Sequence, residues 1–439
     1  MKKIITTLMI MSVFLFFTGI NCVEAEEGVY FDNYDEIDFE GETVNVGGDL
    51  IESYLSEETI EEAEEIFNVK IENMDWLSNE EKISRLMAGD SKYDLWKADI
   101  FDLVELVAND AVLPISEVVD EKFEKDFYDA YMEEYSDYSG MLKKLNEFGT
   151  FGGVTYTLWD INPVFGYFRF TYFNKNIIED EGLEDPYELY ENDEWTWDKF
   201  REMMVEATRD IDGDGEIDQW GLNEFWSPWD DIFSLIYAND GDMFTLEDEK
   251  FNYNFDSEPV IEATREFIRW REEDEITIAD DEADNFSDGE TLFYMADVIP
   301  VAIQDWPAYG DGGEYGLVPI PRGPNAEEHK TWASSAQTLV LPLNSEYPEG
   351  MIALYDFFFS REEELYDDDI RETSPDRKAY EIIKEYSTND NIEIARTSLA
   401  DEQIIEMFEE ILAGERGVEE AFEAYEPAIQ GKVDELYRY

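Results

Sequence analysis

The residues best spaced for chemistry are the carboxylates of Asp210-Ile211-Asp212-Gly213-Asp214-Gly215-Glu216-Ile217-Asp218. Acids at alternating positions, a glycine for the tight turn, then a backbone carbonyl and a further acid reproduce the first nine positions of a calcium loop. Asp210, Asp212, Asp214, Glu216 and Asp218 are the candidate metal ligands. A complete loop needs a bidentate glutamate at its twelfth position, and Gly221 stands there. Two readings follow: a structural Ca2+, or an acidic turn that holds water and sodium.

Other chemistries lack their residues. His329 is the only histidine and Cys22 the only cysteine, which argues against zinc and thiol catalysis. Acidic residues number 110 against 31 basic ones, a net charge of −79. Such a polyanion repels nucleic acid and anionic membranes. With 44% hydrophobic and 15% aromatic residues the chain still has the material for a packed core. A carboxylate-rich surface over such a core suits concentrated salt, where self-repulsion is screened. The abundant types are those that recognise sugars: 11 Trp and 26 Tyr to stack on ring faces, and carboxylates to accept from hydroxyls.

The first segment reads as an address. Lys2 and Lys3 precede an apolar run from Ile4 to Ile20, and Val23-Glu24-Ala25 offers small residues for cleavage. Residues 1–25 are thus expected to be a signal peptide, removed on export and taking Cys22 with it. The alternative is a lipoprotein signal at Gly19-Ile20-Asn21-Cys22, which would anchor the chain at the cell surface through Cys22. No later stretch is apolar enough to cross a bilayer.

The elements that must position these residues alternate. Thr43 to Val46, Val69 to Ile71 and Tyr93 to Ala98 read as strands; Ile51 to Phe67, Glu80 to Met87 and Asp102 to Ala108 read as helices. Gly152 to Leu158 reads as a hairpin and strand entry, and Phe165 to Phe173 as an aromatic strand. Thr196 caps a helix over Trp197 to Arg209, Trp220 opens a strand, and the chain beyond Pro348 is mostly helical. Strands alternating with helices predict an α/β fold with crossover connections. The length requires more than one core.

Several segments taken in order carry a family resemblance. They are Glu81 to Asp90 followed by Tyr93-Asp94-Leu95-Trp96; Gly152 to Thr157; Tyr172-Phe173-Asn174-Lys175; Thr196-Trp197-Asp198; Phe286 to Glu290 with Phe293-Tyr294-Met295; and Gly316 to Pro324. In that order they resemble the extracellular solute-binding proteins, the family that includes maltose-binding protein, from about residue 42 to the C-terminus. The chain departs where relatives often have Gly-Pro-Trp and it has Ala296-Asp297-Val298.

The resemblance implies a two-lobed periplasmic-binding-protein-like fold (class II), its lobes interwoven around a ligand cleft. The expected division is residues 26–158 plus about 337–372 in lobe 1, and 159–336 plus about 373–439 in lobe 2. It also implies no catalysis, no cofactor for activity, and a monomer that captures a carbohydrate outside the cytoplasmic membrane. The loaded protein would deliver it to the permease subunits of an ABC transporter. Asp49 matches a family position that touches solute, or it caps the next helix. Asp99 follows the third strand, and Trp159 and Asp160 stand at the expected lobe crossing. Trp226 and Trp229 frame a loop before a helix, Trp306 adjoins Pro307, and Trp332 lies near Ser334-Ser335. These eight are the candidate ligand-binding residues. The rival readings are a secreted glycoside hydrolase, a receptor for a non-sugar polar solute, and a calcium-dependent adhesin, which would need repeated modules that the chain lacks.

Overall fold

The computed structural model describes residues 34, 36–47, 56–115, 118, 144–145, 147–159, 168–225, 227–248, 250–279, 284–298, 314–334, 336–359, 374–388, 391–394 and 397–437. The expected signal peptide lies outside them.

The first lobe begins with three parallel strands, Thr43–Gly47 (β1), Lys70–Met74 (β2) and Asp94–Asp99 (β3). Helices Glu57–Phe67 and Asn79–Ala88 connect them. The second helix starts where sequence chemistry says it should. Ser78 and Glu81 close a reciprocal capping box, and Gly89 ends the helix at φ 77°. The strand Leu158–Trp159 (β4) also belongs to this sheet.

The chain then crosses to the second lobe. Its sheet is formed by Arg169–Asn174 (β5), Trp220–Glu224 (β6), Thr277–Ala279 (β7), Thr291–Asp297 (β8) and Tyr315–Val318 (β9), in the order β7-β6-β8-β5-β9. The β6, β7 and β8 strands run parallel, while β5 is antiparallel to both β8 and β9. Helix Trp197–Ala207 packs so closely on β6 that a Cβ at Gly221 would meet Met204 at 2.5 Å. A helix contact thus accounts for the glycine that interrupts the calcium-loop pattern.

After Thr331–Ala333 (β10) the chain returns. Gln337–Val340 (β11) pairs antiparallel with both β3 and β4, completing the order β2-β1-β3-β11-β4. Helix Pro348–Phe359 then packs on Glu57–Phe67 in the first lobe. Ile392–Ile394 (β12) pairs with β10. Helix Arg377–Thr388 packs on β9, and helices Asp401–Leu412 and Val418–Val433 pack on each other and on helices of the second lobe. The backbone of Trp159, expected to open lobe 2, pairs with Thr338 in the first sheet. The turn Asp434–Tyr437, expected in lobe 2, also touches the first-lobe helix Ile100–Ala108. The lobes therefore share chain at more than one crossing.

Candidate functional site between the lobes

Parallel strands deliver ligand-binding groups at their C-terminal ends. Three such ends matter here: Asp99 on β3, Glu224 and Phe225 at the end of β6, and Asp297 on β8. Helix Pro228–Ala238 begins just past β6, with proline in its first turn and the acids Asp230 and Asp231 beside it. Carboxylates are favourable at that end of a helix.

One guanidinium sits among these acids. Arg169, the first residue of β5, is fully buried. Its Nη2 donates to the Met295 carbonyl at 2.7 Å and lies 3.5 Å from Asp231. Its Nη1 is 3.5 Å from Asp230 and its Nε 3.9 Å from Asp297. The guanidinium carbon lies 4.0 Å from the centre of the Phe225 ring and 5.6 Å from that of Trp332. Arg169 Nε and Nη1 and Asp297 Oδ1 make no hydrogen bond. Three carboxylates thus share one cation loosely.

The electrostatics follow from burial. Desolvation pushes Asp230 up to about 7, with the charges of Asp297 and Asp401 adding to it and Arg169 opposing. Asp297 rises to about 6 for the same first reason, opposed by Arg169 and by the hydrogen bond from Ser334 at 2.9 Å. Asp231 is also raised by burial, against Arg169 and the Phe225 N–H that it accepts at 2.8 Å. Asp401 is raised by burial and then by Asp99. Charge coupling therefore runs from Asp99 in the first lobe through Asp401 to Asp230 and Asp297 in the second.

The candidate residues distribute unevenly around this cluster. Asp99 reaches the cluster through its charge on Asp401, while its Oδ1 accepts from the Asp102 N–H at 2.8 Å. Trp229 is half-buried in the first turn of the helix that carries Asp230. Asp49, Asp160, Trp226 and Trp306, and the side chain of Trp159, lie outside the described residues. Trp332, expected to face solute, is instead a core residue. It is 1% exposed, donates from Nε1 to Ser234 at 2.9 Å, and stacks on Tyr237. Strand β10 is buried along its whole length against helix Pro228–Ala238, and this closes the ring off.

Sequence reasoning missed Arg169, Asp230 and Asp401 as site residues, and met Asp297 only as a departure from the family pattern. A signal existed for the first of these. An arginine inside an otherwise aromatic and apolar strand has to be paired.

Two other expectations have a definite place. His329, the only histidine in the sequence, is buried against Tyr190, with ring centres 5.2 Å apart. Burial lowers it to about 4, so it is neutral at pH 7. In the Asp-rich loop, oxygens of Asp210, Asp212 and Asp218 lie within 4.8 Å of one another, and Asp214 and Glu216 stand outside that group. Loop N–H groups already use several oxygens: Gly213 and Gly215 donate to Asp210, Asp214 to Asp212, and Ile211 to Asp218. The loop precedes β6, so it lies at the opposite end of that strand from Phe225.

Comparison with known proteins agrees with this architecture. A family model described as bacterial extracellular solute-binding protein matches residues 48–364. No curated protein sequence matches the chain. Among solved structures, an ABC substrate-binding protein of Listeria monocytogenes in complex with cycloalternan aligns with TM-score 0.60 at 15% identity, covering 90% of this chain and 99% of that one. A cyclo/maltodextrin-binding protein complexed with maltotetraose aligns with TM-score 0.63 at 16% identity, over 89% and 97%. The sugar-binding protein MalE from Xanthomonas citri aligns with TM-score 0.63 at 14% identity, again over 89% and 97%. At these identities the likeness is one of fold.

Proposed function

We propose, for a chain that belongs to the bacterial extracellular solute-binding protein family, that it is the carbohydrate-capturing receptor of an ABC importer. The observation that carries this reading is a cluster of carboxylates, one guanidinium and aromatic rings at strand ends of the second lobe, linked through Asp401 to Asp99 at a strand end of the first. Phe225 and the half-buried Trp229 supply apolar faces for sugar rings, and Asp99, Asp230 and Asp297 supply acceptors for hydroxyls. Two of the similar structures hold cycloalternan and maltotetraose, which supports an oligosaccharide as the solute.

Function on this reading is a population shift. The lobes are joined through the segment between β4 and β5, the short link from β10 to β11, and the segment after helix Pro348–Phe359. A solute that touches both lobes binds the closed arrangement better and shifts the population towards it. The closed, loaded monomer then docks on the permease outside the cytoplasmic membrane. Among the described residues no helix is long and apolar enough to cross a membrane. Export by the segment 1–25 and a structural Ca2+ at Asp210, Asp212 and Asp218 complete the reading.

The test is a thermal-shift screen of the exported form in concentrated salt against neutral mono- and oligosaccharides. A ligand that binds only the native state raises the melting temperature. A clear shift with the sugar recovered intact is the expected result. No shift with any sugar, or a shift that fades as the sugar is cleaved, overturns it.

A further inference from the structure

Among the described residues the cluster at these strand ends is short of positive charge. With 110 acids in the sequence, surplus carboxylate on an open surface is expected. Here the surplus is buried. The side chains of Asp231, Asp297 and Asp230 are 0%, 11% and 20% exposed. Asp401 and Asp99 add their charge at the rim. Uncompensated buried charge is strongly unfavourable, so a surplus held at a strand-end site points to a ligand.

The pairing is also unfinished. The guanidinium of Arg169 is enclosed, yet Nε and Nη1 donate to nothing and Asp297 Oδ1 accepts nothing. Only Nη2 donates to a carboxylate, Asp231 at 3.5 Å, while Nη1 and Nε stand 3.5 Å from Asp230 and 3.9 Å from Asp297 without a hydrogen bond. A neutral hydroxyl would satisfy one N–H or one carboxylate oxygen and leave the charge imbalance in place. An ammonium group between the carboxylates would donate to Asp297 Oδ1 and offset the charge, while a hydroxyl of the same solute would accept from Arg169 Nε or Nη1.

We propose that the solute is a saccharide carrying an ammonium group, an amino-sugar unit whose nitrogen is taken by Asp230 and Asp297. This rests on the carbohydrate-receptor reading and narrows it. Acidic saccharides are excluded by the same surplus of carboxylate.

The experiment is calorimetric titration in molar salt, where long-range attraction to a polyanion is screened and only contact preference survives. The probes are glucosamine oligomers, the same oligomers N-acetylated, neutral gluco-oligosaccharides, galacturonate oligomers and spermidine. The expected result is binding of the glucosamine oligomer at least about tenfold tighter than its acetylated counterpart, with no binding of galacturonates. The Asp230→Asn/Asp297→Asn variant loses that preference. The milder Asp401→Asn, at a half-exposed position, reduces it if the double variant does not fold. Equal or tighter binding of acetylated or neutral sugars overturns the ammonium proposal and leaves the receptor reading standing. Binding of spermidine alone, with every saccharide inert, overturns the saccharide assignment. Silence from all five probes overturns both.

Discussion

Two buried ionic clusters in this molecule use the same residue types to opposite ends. In the first lobe Arg85 clamps Asp94 with two hydrogen bonds, Nε to Oδ2 at 2.9 Å and Nη2 to Oδ1 at 3.0 Å. Asn45 and Trp96 also donate to the Asp94 carboxylate, and Lys82 holds Asp102 nearby at 2.7 Å. Charges there are matched one to one. In the second lobe Arg169 faces three acids at 3.5 to 3.9 Å, and hydrogen-bonding atoms are left over. The first cluster is a finished structural joint. The second is arranged to receive something, and its mismatch is what separates a binding site from a fold-stabilising pair.

The sharpest way to break this comparison is to remove each arginine. Arg169→Met removes the cation that three buried carboxylates share among the described residues, and a loss of about 3–5 kcal/mol is expected near pH 8. Urea denaturation near pH 4 should show a much smaller loss, because protonated carboxylates no longer need the cation. Arg85→Met should cost about 3 kcal/mol by the same measurement, since it strands the fully buried Asp94, and it should leave solute affinity unchanged.

A finer test uses the surplus. Asp230 and Asp297 are raised to about 7 and about 6, above their unfolded values. A raised acid favours the folded state fully below its unfolded pKa, and that advantage is lost as pH rises through the folded value. The cleft cluster should therefore lose stability between about pH 4 and pH 7. Asp230→Asn should raise the melting temperature near pH 8 and leave it unaltered near pH 4. The same melting temperature at both pH values in variant and parent would contradict the mismatch.

The two tryptophans beside the cluster give a contrast of similar size. Trp229→Ala should weaken sugar binding about tenfold, the worth of one stacked ring. Trp332→Phe, which removes the hydrogen bond to Ser234 and leaves a cavity in place of part of the indole, should cost about 2–3 kcal/mol of stability with little change in affinity. The smallest effect is expected at the Asp-rich loop. Calcium should raise the melting temperature by a few degrees through mass action, and Asp212→Asn should abolish the shift. A calcium shift that survives this variant places the ion elsewhere.

The alternation of strands and helices in the first lobe was legible because local chemistry writes it. Ser78 and Glu81 announce a helix start, Gly89 its end, and Val44 and Val46 a half-buried strand. Thr196 did the same for its helix, whose Lys199 N–H it accepts. The order of such segments also carried the family. Strand β11 was not legible. Its four residues make sense only beside β3 and β4, some 180 to 240 residues earlier. The β10–β12 pair escaped for the same reason.

Composition likewise settled that the chemistry would be that of carboxylates and aromatic rings, with one histidine and one cysteine leaving little else. Which carboxylates matter was decided by tertiary structure alone. Among 110 acids, residue type cannot single out Asp230, Asp297 and Asp401, because each looks like a solvated surface charge until the fold buries it. Residue type and its neighbours in the chain likewise proposed Trp332 as a platform, while packing against helix Pro228–Ala238 made it core. Local propensity and order are written along one dimension, and burial is a property of three. The sequence determined the family and its elements; only folding chose the residues that lose their water and gain each other's charge.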